Sequence, residues 1–135
     1  MKVLSLLQPW ATLVVIGVKQ VETRSWSTDH RGELLIHAST GKAGAVMAME
    51  PPFTKYIKEF NDLPFGAIVG KVTLTDVLLI GQQQLDGNTL NQLTFEERAF
   101  GDYSEGRYAW MLSDAVQFDK PTLVKGSIRL WNFEL

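Results

Sequence analysis

Three charged side chains crowd one short stretch of this chain. Gly17-Val18-Lys19-Gln20-Val21-Glu22-Thr23-Arg24 carries Lys19, Glu22 and Arg24 directly after the apolar run Leu13-Val14-Val15-Ile16. That run has the character of a buried helix end, and Gly17 supplies its stop. Val21 and Thr23 then favour an extended chain. In an extended chain Glu22, Arg24 and Trp26 point to one face, and Val21, Thr23 and Ser25 to the other. Charges beside an aromatic ring at the exit of a buried helix are costly unless they are paired or used. Two chemistries follow. An ion pair could pin the helix to a sheet, or the two cations could meet an anionic or base-bearing ligand. If the protein is an enzyme, Lys19 and Glu22 are the catalytic candidates, because a partly apolar cleft can shift a lysine toward its base form.

Other polar residues add to this group. Gln8-Pro9-Trp10 opens the first helix, where free N–H groups can hold an anion or a carbonyl and where Gln8 can also serve as a cap. Trp26 borders a polar loop, so its amphipathic ring could stack on a base. Trp110 and Trp131 fall in strand patterns and are expected in the core. His37 ends a strand and has no partner spacing for a metal, which suits a hydrogen-bonded structural histidine. Ser39-Thr40-Gly41-Lys42 resembles a short phosphate-cradling loop but lacks the full glycine-rich spacing, so P-loop hydrolysis is not supported. No Gly-x-Gly-x-x-Gly, His-Glu-x-x-His or Gly-x-Ser-x-Gly occurs, and no cofactor is implied.

These residues need positioning elements. Lys2 to Leu7 has a strand pattern. Pro9 suits a first helical turn, and the helix continues from Trp10 to Ile16, apolar nearly all round. Ser27 to Gly32 is a polar loop, and Glu33 to Ala38 a buried strand. Lys42 to Met49 has a helical pattern with Ser39 or Thr40 as cap, stopped by Pro51-Pro52, and Phe53 to Phe60 suggests another short helix. Gly66 to Ile80 is the longest strand signal, with a bulge or bend at Gly70. Gln82 to Gln92 is polar and loop-like. Thr94-Phe95-Glu96-Glu97 has the form of a capping box. Tyr108 to Leu112 is a strand, and Pro121 to Glu134 holds the last one or two, bent near Gly126. Strands outnumber helices and most connections are too short for regular crossovers. The expected fold is α+β: a small, mostly antiparallel β-barrel with helices packed around it.

Composition sets outer bounds. The chain of 135 residues suits one domain, residues 1–135, and 45% apolar residues can build a real core. It has no cysteine, so disulfides and thiolate metal sites are excluded. No apolar run approaches the roughly 20 residues that span a bilayer. A cytoplasmic protein without membrane contact is therefore expected. Net charge is −2, which argues against bulk polyanion binding. Residues 1–44 carry Lys2, Lys19, Arg24, Arg31 and Lys42 against Glu22, Asp29 and Glu33. Residues 82–119 carry seven acidic side chains against only Arg98 and Arg107. An anionic ligand would prefer the first region.

Taken together, these segments resemble the ASCH domain family (activating signal cointegrator homology) of the PUA-like superfamily. Leu4-Ser5-Leu6-Leu7-Gln8-Pro9-Trp10-Ala11 is similar to the family's opening strand and helix start. Gly17, Lys19, Glu22 and Arg24 fit its Gly-x-Lys-x-x-Glu-x-Arg signature. Ser25-Trp26, His30-Arg31-Gly32 and Ile36-His37-Ala38-Ser39 resemble the cointegrator-type branch, and Gly66 to Asp76, Tyr108 to Leu112 and Gly126 to Trp131 its later strands. The resemblance implies a PUA-like barrel that binds single-stranded RNA or DNA, or a nucleoside-type ligand, in a cleft beside the first helix. Lys19 and Arg24 would then contact phosphate or a base edge, Glu22 would orient one of them or accept from a base, and Gln8, Trp10, Trp26, Arg31 and Ser39 would complete the site. Some relatives resemble amidohydrolases that use a lysine, a threonine nucleophile and a glutamate, and others are reported to be ribonucleases. Here Glu22 stands where the amidohydrolase group has threonine, which puts that covalent route in doubt. The alternative readings are a small hydrolase using Lys19 and Glu22, and a protein-interaction module in which the ion pair is only structural.

Overall fold

A computed structural model describes residues 1–81 and 92–135. Among these residues six strands form one mixed sheet: β1 (Lys2–Leu6), β2 (Val21–Arg24), β3 (Gly32–Ala38), β4 (Ala67–Leu79), β5 (Tyr108–Leu123) and β6 (Leu130–Asn132). Their order is β2-β5-β4-β3-β1-β6. The β1–β3 ladder is parallel and the other four are antiparallel. The expected α+β class holds, but the sheet does not close into the expected barrel. Its outer strands β2 and β6 share no ladder. They are nevertheless brought near each other by curling, because Arg129, just before β6, lies over Trp26, just after β2.

Helix α1 (Trp10–Val15) is short and buried from Ala11 to Val15. It ends as its sequence suggests: Gly17 takes φ +82° and its N–H reaches the Val14 carbonyl, while Val18 and Lys19 N–H both reach Leu13. The helix lies directly on β4 at Gly70. A Cβ there would come within 2.3 Å of the Val116 carbonyl and 2.6 Å of Val15, so no larger residue fits. The β4 ladders slip near Gly70 and again at two further points, and such bulges let long strands coil.

Three expectations need correction. Residues 42–49 form two separate 3₁₀ turns (Ala43–Ala45 and Met47–Met49) rather than one helix, and in the next segment the expected helix is replaced by the 3₁₀ turns Phe53–Lys55 and Phe60–Asp62. No side chain caps either turn of the first segment. Gly44 packs so tightly on the Gln8-Pro9-Trp10 turn that the backbone follows that surface instead of a continuous helix. Strand β5 runs on to Leu123 and takes up Pro121, which the sequence pattern places in a later strand. The loop expected at Gln82 to Gln92 lies, apart from Gln92, outside the described residues.

Thr94 caps the short helix α2 (Phe95–Ala99), accepting the Glu97 N–H at 3.1 Å. The reciprocal half of the capping box is replaced, since Glu97 Oε1 instead accepts the Gln20 N–H at 2.7 Å. This contact ties α2 to the signature segment 77 residues earlier.

Candidate functional site

Strand β2 pairs with β5 so that Glu22 faces Trp110, Thr23 faces Ala109 and Arg24 faces Tyr108. Val21, Glu22 and Thr23 are all buried, so both faces of this edge strand are covered. The Glu22 carboxylate is held from both sides. Lys19 Nζ lies 3.2 Å from Oε1, and Arg24 NH1 donates to Oε2 at 3.1 Å. The Lys19 side chain is fully buried and also donates to the Val21 carbonyl. Lys19 therefore stands behind the carboxylate, while the Arg24 side chain, 30% exposed, stands in front.

In front of Glu22 and Arg24 opens a cleft of about 320 Å³. Glu22, Thr23, Arg24 and Arg107 give it a polar side. Leu6, Leu7, Trp10, Met47 and Phe100 give it an apolar side, and Ala99, Gly101 and Asp102 complete the lining. The segment Gly101–Arg107 is sewn to β2 at Thr23. Thr23 Oγ1 accepts the Asp102 N–H at 3.1 Å, and Arg107 NH2 donates to the Thr23 carbonyl at 3.0 Å. Arg107 Nε also donates to the Asp102 carbonyl at 3.2 Å and lies 3.6 Å from its carboxylate. Hydrogen bonds from Ser104 hold the Asp102 carboxyl below its ordinary range. Both cations of the cleft thus have an acidic neighbour, and the cleft is close to charge-balanced. It can receive a flat, polar, weakly charged group, with hydrogen bonds on one side and apolar contact on the other.

A second layer lies behind the pair. Burial pushes the Glu97 carboxyl up, partly offset by the N–H groups of Gln20 and Val21 and by the charge of Lys19. Burial, with the charges of Glu97 and Glu22, pushes the Tyr103 hydroxyl up as well. Glu97 Oε2 and the Tyr103 hydroxyl are buried without a hydrogen-bond partner among the described residues.

The family model of the ASCH domain matches residues 4–122. The chain belongs to the ASCH domain family. It is 31% identical over 141 residues to activating signal cointegrator 1 of Mus musculus, and 31% identical over 140 residues to that of Homo sapiens. Each alignment covers 97% of this chain but only 22% of the cointegrator, so the chain spans about a fifth of those relatives. Its fold is similar to crystal structures of ASCH from Zymomonas mobilis. One aligns with TM-score 0.51 at 17% identity, covering 90% of this chain and 72% of that one. A serine-to-alanine variant of the same Zymomonas mobilis protein aligns with TM-score 0.54 at 20% identity, covering 91% and 73%.

Within this ASCH domain the expected site residues separate into groups. Trp10, Glu22 and Arg24 line the cleft, and Lys19 supports it from behind. Gln8 is fully buried, with Oε1 accepting the Thr12 N–H at 3.0 Å and Nε2 donating to the Pro64 carbonyl at 2.9 Å, so it caps α1. Trp26 lies outside the cleft lining. Its ring meets Trp110 edge-on at 4.9 Å, and the guanidinium carbons of Arg24 and Arg129 lie 5.9 and 5.1 Å from its centre. Arg31 turns to Asp76, at 3.6 Å, and to the carbonyls of Thr28 and His30. Ser39 lines a different cleft, with His37 and Lys125. His37 is buried and structural: Nε2 lies 2.8 Å from the Val124 carbonyl and Nδ1 3.0 Å from Ser5 Oγ. Since the carbonyl can only accept, Nε2 carries a proton.

Sequence reasoning missed Ala99 to Asp102 and Arg107 in the cleft lining, together with Leu6, Leu7, Thr23 and Met47. Arg107 had a signal: it is a cation in an otherwise acidic stretch, one residue before the strand that pairs with β2.

Proposed function

We propose that this ASCH domain binds single-stranded RNA, taking one base or modified nucleoside into the cleft between β2 and the Ala99–Arg107 segment. The observation that carries this reading is the pairing of a polar wall, Glu22-Arg24-Arg107, with an apolar wall at Trp10 and Phe100 across a space of about 320 Å³. A nucleobase has this character, with apolar faces and a hydrogen-bonding edge. Arg24 and Arg107 offer donors to base carbonyls. Glu22, already holding two cations, offers remaining acceptor capacity to an exocyclic amine. Stacking on an aromatic wall contributes on the order of 1–3 kcal/mol per base.

The burial of Lys19 supports a positioning role. Its ammonium is engaged by Glu22 and the Val21 carbonyl and does not line the cleft, so the geometry lends no support to hydrolysis with Lys19 as nucleophile or base. The matching DNA strand is the alternative ligand that the same experiment separates.

The test is fluorescence anisotropy of a short labelled single-stranded RNA, with competing nucleosides, against the wild type and Arg24→Ala. Saturable binding that the variant loses while remaining folded supports the reading. An RNA affinity unchanged by Arg24→Ala removes the site from this cleft, and preference for the matching DNA strand would change the ligand.

A further inference from the structure

Arg129 stands apart from the other site cations. It is a non-glycine residue at φ +53°, a left-handed conformation that side chains rarely adopt and that persists only when its surroundings enforce it. It is exposed, and among the described residues no carboxylate pairs with it. Its neighbour is the Trp26 ring, 5.1 Å from the guanidinium carbon. The ring itself is fixed by its edge-on contact with Trp110, and the Trp26 carbonyl accepts the Trp110 indole N–H at 3.3 Å. Arg24 reaches the same ring while lining the cleft. A continuous path therefore leads from the charge-balanced cleft through Arg24 and Trp26 to a cation without a counter-charge. The stretch between β5 and β6 that supplies it carries Lys125 and Arg129 and no acidic residue.

We infer that Arg129, held over Trp26 at the seam between β2 and β6, is a backbone-phosphate subsite for the RNA strand as it leaves the cleft. This rests on the reading of the cleft as a base site and divides the labour: the cleft reads a base, whose neutral edge suits paired charges, and the seam holds the phosphodiester, which needs an unpaired one. Arginine over an indole is well suited to this, because the ring orients the guanidinium without neutralising it.

The experiment compares wild type, Arg129→Gln and Arg129→Lys, titrating a short single-stranded RNA and a free nucleoside bound by the wild type across a series of salt concentrations. Arg129→Gln is expected to weaken RNA binding roughly three- to tenfold at low salt and to lower the slope of log affinity against log salt by about one. Nucleoside affinity and melting temperature stay unchanged, and Arg129→Lys keeps the slope. Equal RNA affinity and slope in wild type and Arg129→Gln would overturn the subsite while leaving the cleft intact. So would a wild type that binds the nucleoside as tightly as the strand. A sharp fall in melting temperature with equal loss of both ligands would make Arg129 only a latch between the sheet edges. Should the wild type bind neither ligand, the cleft reading fails first and takes the subsite with it.

Discussion

Lys19 and Glu22 form an ion pair in which the lysine side chain is wholly buried and the glutamate side chain 9% exposed, Nζ to Oε1 3.2 Å. The pair closes the loop between α1 and β2, and it leaves the second carboxylate oxygen for Arg24 at the cleft surface. Two charges with the same spacing at a protein surface would contribute little. Buried, the lysine is stranded if Glu22 is removed, and without the lysine the carboxylate keeps only its partly solvated partner Arg24.

Lys19→Ala should therefore destabilise the fold by about 3–5 kcal/mol, the loss typical when one member of a buried pair is deleted. Denaturant unfolding measures it. The double variant Lys19→Met/Glu22→Leu should recover a large part of that loss, because no buried charge is left unpaired and Arg24 is partly solvated. Equal instability of the single and double variants would mean that packing, not charge, is the source.

Arg24→Ala should behave differently. Its guanidinium is partly solvated, so the stability change is expected at about 1 kcal/mol or less. Its effect should fall on ligand binding instead. A melting temperature close to that of the wild type together with lost RNA anisotropy is the expected pattern, and a large loss of stability would count against placing Arg24 at the ligand.

Glu97 supplies a pH signature. Burial raises its carboxyl above the ordinary value of 4.5, so the folded protein holds this proton more tightly than the unfolded chain. Stability from this group is then highest below 4.5 and declines as pH rises from there through the raised folded value. Glu97→Gln cannot ionise and keeps an oxygen to accept the Gln20 N–H. Relative to wild type, the variant should gain stability with rising pH across that window. Unfolding free energies of the two that run parallel from acid to neutral pH would contradict the assignment.

Gly44→Ala probes the floor of the apolar wall. A Cβ there would lie 2.0 Å from the Gln8 carbonyl oxygen and 2.8 Å from the Trp10 ring. Something must shift, and the backbone oxygen has little room to do so. A loss of about 1–3 kcal/mol is expected, as for other overpacked sites, read as a lowered thermal midpoint by circular dichroism. Because Trp10 lines the cleft, ligand affinity should fall as well. An unchanged midpoint would mean that the 3₁₀ turn moves freely on the Gln8-Pro9-Trp10 turn.

Much of the positioning scaffold is legible in local sequence because its causes are local. Gly17 ends α1 where a left-handed residue is required, Val21–Arg24 is extended, Gly70 marks a bulge in β4, and Thr94 caps α2. Each depends on a few adjacent residues and on backbone preferences that act within a turn or a strand. Where local pattern failed, packing had overridden it: residues 42–49 carry a helical signature but take the shape of the surface beneath Gly44.

The sequence by itself determined the family signature, the class of the fold and the nearness of Lys19, Glu22 and Arg24. Only the tertiary structure decided that Lys19 faces inward and Arg24 outward, that Gln8 is a cap, that Arg107 joins Glu22 and Arg24 in the cleft lining and that Arg129 reaches Trp26. It also decided that the strands form an open sheet whose edges meet through side chains rather than a hydrogen-bonded barrel. The physical reason is range. Thr23 and Arg107 meet across 84 positions of chain, and such contacts are selected by the packing of the whole sheet, to which no local periodicity corresponds.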